Sequence, residues 1–117
     1  MKETIKSIIE WHEQTFPDAT LEGQLEKYQD ELQELAASNY KDITELADMF
    51  IVACGICRFS LSHGMIAFWK VADLTPGILL TKGQFEAAVN EKMQINRKRK
   101  WGKGKGNYQH ISEGDEE

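Results

Sequence analysis

The sequence predicts an all-α protein, a bundle of four to five antiparallel helices that assembles into an oligomer. Three features point there. Apolar residues recur at steps of three and four in several segments, capping signals open those segments, and every position from Met49 to Cys57 is apolar or Gly. A helix built on such a run has no solvated face and must be surrounded by protein. One chain of 117 residues is expected to provide that cover only with help from further copies.

The elements follow in order. Ile5, Ile8, Ile9 and His12 fall at helical spacing within residues 3–15, and Pro17 ends this first helix because proline disfavours helix in the residue before it. Asp18 or Thr20 can cap a second helix over about 20–38, with Leu21, Leu25, Tyr28, Leu32 and Leu35 on its apolar side. Ser38-Asn39-Tyr40-Lys41 interrupts the pattern. Asp42, with Glu45 three residues on, then reads as the N-cap and capping-box partner of a third helix. Residues 60–82, with Gly64, Pro76 and Gly77 between short apolar runs, read as a connecting segment with a short helix. Thr81 and Gln84 form a second capping box, which opens a helix through Phe85, Val89 and Met93 toward Arg97. The glycine-rich stretch after Trp101 cannot continue a helix. Residues 1–111 are read as one domain and residues 112–117 as an acidic, disordered tail.

Composition sets the limits on function. With 41% hydrophobic and 28% charged residues the chain has the make-up of a globular protein rather than a disordered one. Its longest uncharged apolar run, Met49–Cys57, is far short of the roughly 20 residues that cross a bilayer. The mixed charges of Met1-Lys2-Glu3 do not suit a signal peptide, so a cytoplasmic protein is expected. Cys54 and Cys57 match CxxC, but in the middle of a buried helix they read as inert core thiols. His12, His63 and His110 form no catalytic or zinc pattern, and GKGKG lacks the order of a phosphate loop. The net charge of −5 is unevenly spread: residues 97–105 carry six positive charges and no negative one, which leaves a remainder of net −11. An acidic body with a basic band suggests a site where a cation and an anion are both bound.

The carboxylates carry the chemistry. Glu31 and Glu34 on the second helix, and Glu45 and Asp48 on the third, are each spaced i, i+3, so each pair shares a face, and a short connection lets the two pairs meet. Glu45 and Asp48 project along the strip of Val52, Gly55 and Phe59, inside a helix that is otherwise apolar. Ionised carboxylates there cost several kcal/mol each unless protonated, salt-bridged or metal-bound, and the third helix offers no Lys or Arg before Arg58. Clustered hard oxygen ligands suit Mg²⁺, with Mn²⁺ as a possible substitute, better than Zn²⁺.

The run Lys27-Tyr28-Gln29-Asp30-Glu31-Leu32-Gln33-Glu34-Leu35, followed by Glu45-Leu46-Ala47-Asp48, resembles the ExxE…ExxD signature of the MazG-like all-α nucleoside triphosphate pyrophosphatases. Glu91-Lys92-Met93, Asn96-Arg97, Arg99-Lys100-Trp101-Gly102 and Tyr108-Gln109-His110-Ile111 resemble the C-terminal part of the dATP/dGTP pyrophosphohydrolase-like subgroup. The ten residues between Glu34 and Glu45 are fewer than is usual in the wider family, and Asp30 stands where Glu is common. The resemblance implies a Mg²⁺-dependent hydrolase that cleaves a (deoxy)nucleoside triphosphate to the monophosphate and pyrophosphate in nucleotide-pool control, in a phage or bacterial setting. Glu31, Glu34, Glu45 and Asp48 would hold the metal, with Glu34 and Glu45 catalytic.

Lys92 and Asn96 share a helical face with Arg99 a step beyond, an arrangement able to hold phosphate oxygens, and the resemblance assigns Lys92 and Asn96 that role. Arg97, Lys98 and Lys100 read as a solvated basic face. Trp11 and Phe16 either pack in the core or, as in related enzymes, stack on a nucleobase; Trp101 either covers the substrate or meets a partner subunit, and Phe68 and Trp69 read as packing. The competing reading is a non-catalytic helical dimer that binds nucleic acid through residues 97–105, which the acidic remainder opposes.

Overall fold

The computed structural model describes residues 2–78, 81–103 and 108–111. Five helices, α1 (Ile5–Thr15), α2 (Leu21–Ala37), α3 (Ile43–Phe59), α4 (Leu61–Ile78) and α5 (Lys82–Lys98), are followed by two short strands, β1 (Lys100–Lys103) and β2 (Tyr108–Ile111). The helical class therefore holds. The strands pair antiparallel, Lys100 opposite Ile111 and Lys103 opposite Tyr108, where the sequence predicts only that the helix cannot continue. The middle of the glycine-rich stretch and the acidic tail, residues 104–107 and 112–117, lie outside the described residues.

The helix boundaries have local causes. Thr4 and Ser7 form a capping box at the start of α1, Thr20 accepts a hydrogen bond from the Gly23 amide at the start of α2, and Thr81 and Gln84 make the expected box on α5. Asp42 caps α3 by accepting from the Thr44 amide at 2.9 Å. Glu45 is not spent on that cap: its side chain turns into the cleft described below. Asn39 and Tyr40, both left-handed at φ 60° and 58°, reverse the chain between α2 and α3.

Two expectations need correction. Residues 61–78 form an 18-residue helix rather than a connector with a short one. Gly64 reads as a breaker in sequence but serves close packing, because a side chain there would overlap the Cys57 sulfur. Pro76 falls in the last turn of α4, so the hydrogen bond that its missing N–H forfeits lies at the helix end and does not interrupt the body of the helix. The second correction concerns α3, which is covered by its own chain: α1, α2, α4 and α5 all pack against it. Its argument for an oligomer therefore lapses. One core cluster joins Ile8, Trp11 and Phe16 to Ala47, Ile51, Cys54, Val89 and Met93; the other joins Tyr28 and Leu35 to Leu46, Met49, Val52, Ala53, Ile56, Ala67 and Val71. Phe68 packs against this core, but Trp69 does not, being 68% exposed.

Ile56 is fully buried between α2, α3 and α4. Ile56→Ala is expected to cost about 2–5 kcal/mol of unfolding free energy, measured by urea denaturation. A loss below about 1 kcal/mol would contradict the central placement of α3.

Candidate functional site

Four segments build one cleft. From α2 come Gln24, Lys27, Glu31 and Glu34, at steps of three, four and three that put them on one face. The strip of α3 supplies Glu45, Asp48 and Val52, as its periodicity predicts. Trp11, His12 and Phe16 enter from α1 and the residue after it, and Lys92 and Asn96 from α5. Arg99 and Trp101, just past the end of α5, close the far side.

Three of the four expected carboxylates converge. One oxygen each from Glu31, Glu45 and Asp48 lies within 4.8 Å of the others. Glu34 stands at the rim, more exposed, close enough to interact with Glu31 and Glu45 but outside that trio. Burial, together with the Asp48 charge, pushes the Glu31 carboxyl up to about 9. Glu45 is pushed up to about 7 by burial and by its contact with Glu34, and Asp48 is raised by burial against the pull of Lys92. The second oxygens of Glu31 and Glu45 are buried with no hydrogen-bond partner among the described residues. Unsatisfied oxygen acceptors of this kind, on three convergent carboxylates, fit a hard divalent cation.

Positive charge reaches the cluster from α2 and α5, whereas α3 itself holds no Lys or Arg before Arg58. Lys92 Nζ lies 3.4 Å from Asp48 Oδ2, and Lys27 Nζ lies 3.9 Å from Glu31 Oε1. Lys27 is thus a site residue that the sequence reading missed; its step of four before Glu31 was the available signal. Asn96 is buried, its side chain against the Met93 sulfur and its carbonyl accepting from the Trp101 indole at 3.2 Å. Arg97 is exposed, as expected, and its side chain holds Glu3 through two hydrogen bonds of 2.8 and 3.0 Å, which ties the N-terminus to α5.

The aromatics form one wall. Trp11, Phe16 and Trp101 meet edge-to-face, with centroids 5.1 to 6.2 Å apart. His12, which belongs to no motif in the sequence, and Gln24, which the sequence does not single out, lie buried beside them and are bonded to each other at 3.1 Å. Cys54 is buried and Cys57 partly so; both are free, and burial raises both thiols, in keeping with inert packing.

The chain is similar over 110 residues to a protein of Salmonella phage PMBT28 named dATP/dGTP diphosphohydrolase. The two are 31% identical, and the likeness covers 93% of this chain but 31% of that protein. The chain thus spans about a third of the length of the curated relative it matches. No protein-family model and no solved structure matches it. Among the described residues no helix is long and apolar enough to cross a membrane.

The raised carboxyls set a pH dependence. An acid whose folded value lies above its unfolded one keeps extra protons in the folded state, so stability falls as pH rises from about 4.5 toward 9. Metal-stripped protein is expected to melt at a lower temperature at pH 9 than at pH 6, and added Mg²⁺ to raise the melting temperature most at the higher pH. A melting temperature that climbs across this range in EDTA would contradict the burial of Glu31 and Glu45.

Proposed function

We propose that this chain hydrolyses a (deoxy)nucleoside triphosphate of the dATP/dGTP type to the monophosphate and pyrophosphate. A divalent cation, Mg²⁺ or in its place Mn²⁺, would be held by Glu31, Glu45 and Asp48, with Glu34 beside them. The observation that carries the reading is the partly buried trio with its two unpartnered oxygens. The name of the phage relative supports the reaction class. When bound, the cation supplies charge compensation for the triphosphate and Lewis-acid polarisation of its phosphorus–oxygen bonds.

The protein's own groups then have distinct tasks. Lys92 leaves Asp48 for a phosphate oxygen once the carboxylate charge is otherwise matched, and Asn96 and Arg99 flank the same phosphates from the end of α5. Water attacks the α-phosphorus in line, the bond to the bridging oxygen breaks, and pyrophosphate departs toward these donors. Glu34, at the open rim and next to Glu45, takes the proton of that water. Trp11 and Trp101 cover the nucleoside. The product pair suits control of a nucleotide pool, and two free cysteines agree with a cytoplasmic setting.

The chain is further proposed to work as a homodimer or a homotetramer. The support is the outer strip of α4, where the large apolar side chains of Leu61, Met65, Ile66 and Trp69 lie together and are 52 to 68% exposed, the kind of grouped apolar surface that marks an interface. Light scattering is expected to report a dimer or tetramer at micromolar concentration, and the double substitution Ile66→Glu with Trp69→Glu to give a folded monomer. A monomeric parent chain would refute this assembly.

Incubation with each deoxynucleoside triphosphate and Mg²⁺ is expected to release pyrophosphate, with none in EDTA. Glu45→Gln should lower turnover by about 10²-fold or more while leaving the helical circular dichroism intact. Retained turnover in that variant would remove Glu45 from the site. Absence of turnover, with steeply salt-dependent binding to DNA or RNA, would favour the basic segment 97–105 as the functional surface.

A further inference from the structure

Beside the aromatic wall lies a hydrogen-bonded chain that hydrolysis does not require. Arg58 Nη1 lies 3.0 Å from His12 Nδ1, and His12 Nε2 lies 3.1 Å from Gln24 Oε1. A guanidinium can only donate, so His12 Nδ1 must accept and carries no proton. Burial, with help from the Arg58 charge, holds the imidazole down to about 4, so the ring is neutral and its single proton sits on Nε2. That N–H donates, and the Gln24 atom facing it must therefore be the carboxamide oxygen.

The chain is firmly anchored. Arg58 also donates to the Phe16 carbonyl at 2.8 Å, and its guanidinium lies 4.6 Å over the Phe59 ring. Gly55 leaves the space: a Cβ there would stand 2.7 Å from His12 Nε2 and 3.0 Å from Gln24 Oε1. With its oxygen committed, Gln24 has only its NH₂ group left. Gln24 is 3% exposed and lines the cleft, and the side-chain hydrogen bond it makes, to His12, engages its oxygen and not that nitrogen. Gln24 stands seven residues before Glu31 on α2, about 10 Å along the axis, which leaves room for a sugar between a base at Gln24 and phosphates at the carboxylates.

We infer that Gln24, fixed by Arg58 through His12, reads the nucleobase as a hydrogen-bond donor and so selects bases that present a carbonyl oxygen over bases that present an amino group at the same position. The inference rests on the reading of this cleft as a nucleotide site. An unrestrained glutamine can pair with adenine through its oxygen and its nitrogen together. Here His12 occupies the oxygen, and an adenine amino group would face the NH₂ group, donor against donor. Among purines the device favours guanine. Gln24 touches the base, whereas His12 and Arg58 are positioning residues.

The test compares kcat/KM for the deoxynucleoside triphosphates of guanine, hypoxanthine, adenine and 2,6-diaminopurine. Hypoxanthine keeps the carbonyl without the 2-amino group, and diaminopurine keeps the 2-amino group without the carbonyl. The two carbonyl bases are expected to exceed the two amino bases by about 10- to 100-fold. Gln24→Glu, which offers acceptors only, should reverse the order. The ¹⁵N shifts of His12 should report the neutral Nε2–H tautomer in the unmodified protein whatever its activity. Equal turnover of all four, a preference for the amino bases, or a proton on Nδ1 overturns the inference and leaves the hydrolase reading standing. No turnover of any of the four overturns both.

Discussion

The constraint on which this structure turns is the cost of keeping carboxylates out of water. Glu31, Glu45 and Asp48 are gathered where two helices meet, and burial together with mutual repulsion disfavours their ionised forms. Two lysines from separate elements, Lys27 and Lys92, offset part of that charge, but two buried oxygens are left without a donor. Apolar side chains of similar size would make a more stable bundle. A bound cation would make that deficit good and would couple its binding to the stability of the fold.

The rest of the bundle positions this deficit. α3 is central and packs against each of the other four helices, so its strip of Glu45, Asp48, Val52 and Gly55 is held against α1, α2 and α5 rather than facing water. The tight reversal at Asn39 and Tyr40 brings the α2 acids alongside those of α3. Arg58 ties α3 to the end of α1 and sets His12, and the Trp101 indole is pinned to the last turn of α5 by its bond to the Asn96 carbonyl. One side of the cleft is therefore acidic, one basic and one aromatic.

Much of this was legible in the sequence. Helical periodicity and capping residues placed α1, α2, α3 and α5, and the i, i+3 spacing of the acids located the cluster. α4 was not legible, because Gly64 and Pro76 carry the same letters whether they break a helix or serve one; only the proximity of Cys57 shows that Gly64 is there for contact. The cover of α3 was misjudged for a related reason. Periodicity tells that a face is buried but not which copy buries it. Spacing and the family resemblance group Glu34 with the other acids, whereas its place at the rim depends on how α2 leans on α3. The chain of Arg58, His12 and Gln24 joins residues 46 and 12 positions apart, a relation that no local pattern encodes.

The central claim is that a divalent cation completes the acidic trio, and calorimetric titration of metal-stripped protein with Mg²⁺ near pH 7 tests it most directly. With Glu31 held up to about 9 and Glu45 to about 7, binding must displace protons. The heat should therefore vary with the ionisation enthalpy of the buffer, and both the binding and this variation should vanish when Glu31 and Glu45 are replaced by glutamine. Binding that releases no protons and survives those replacements, or no binding at all, would contradict the account.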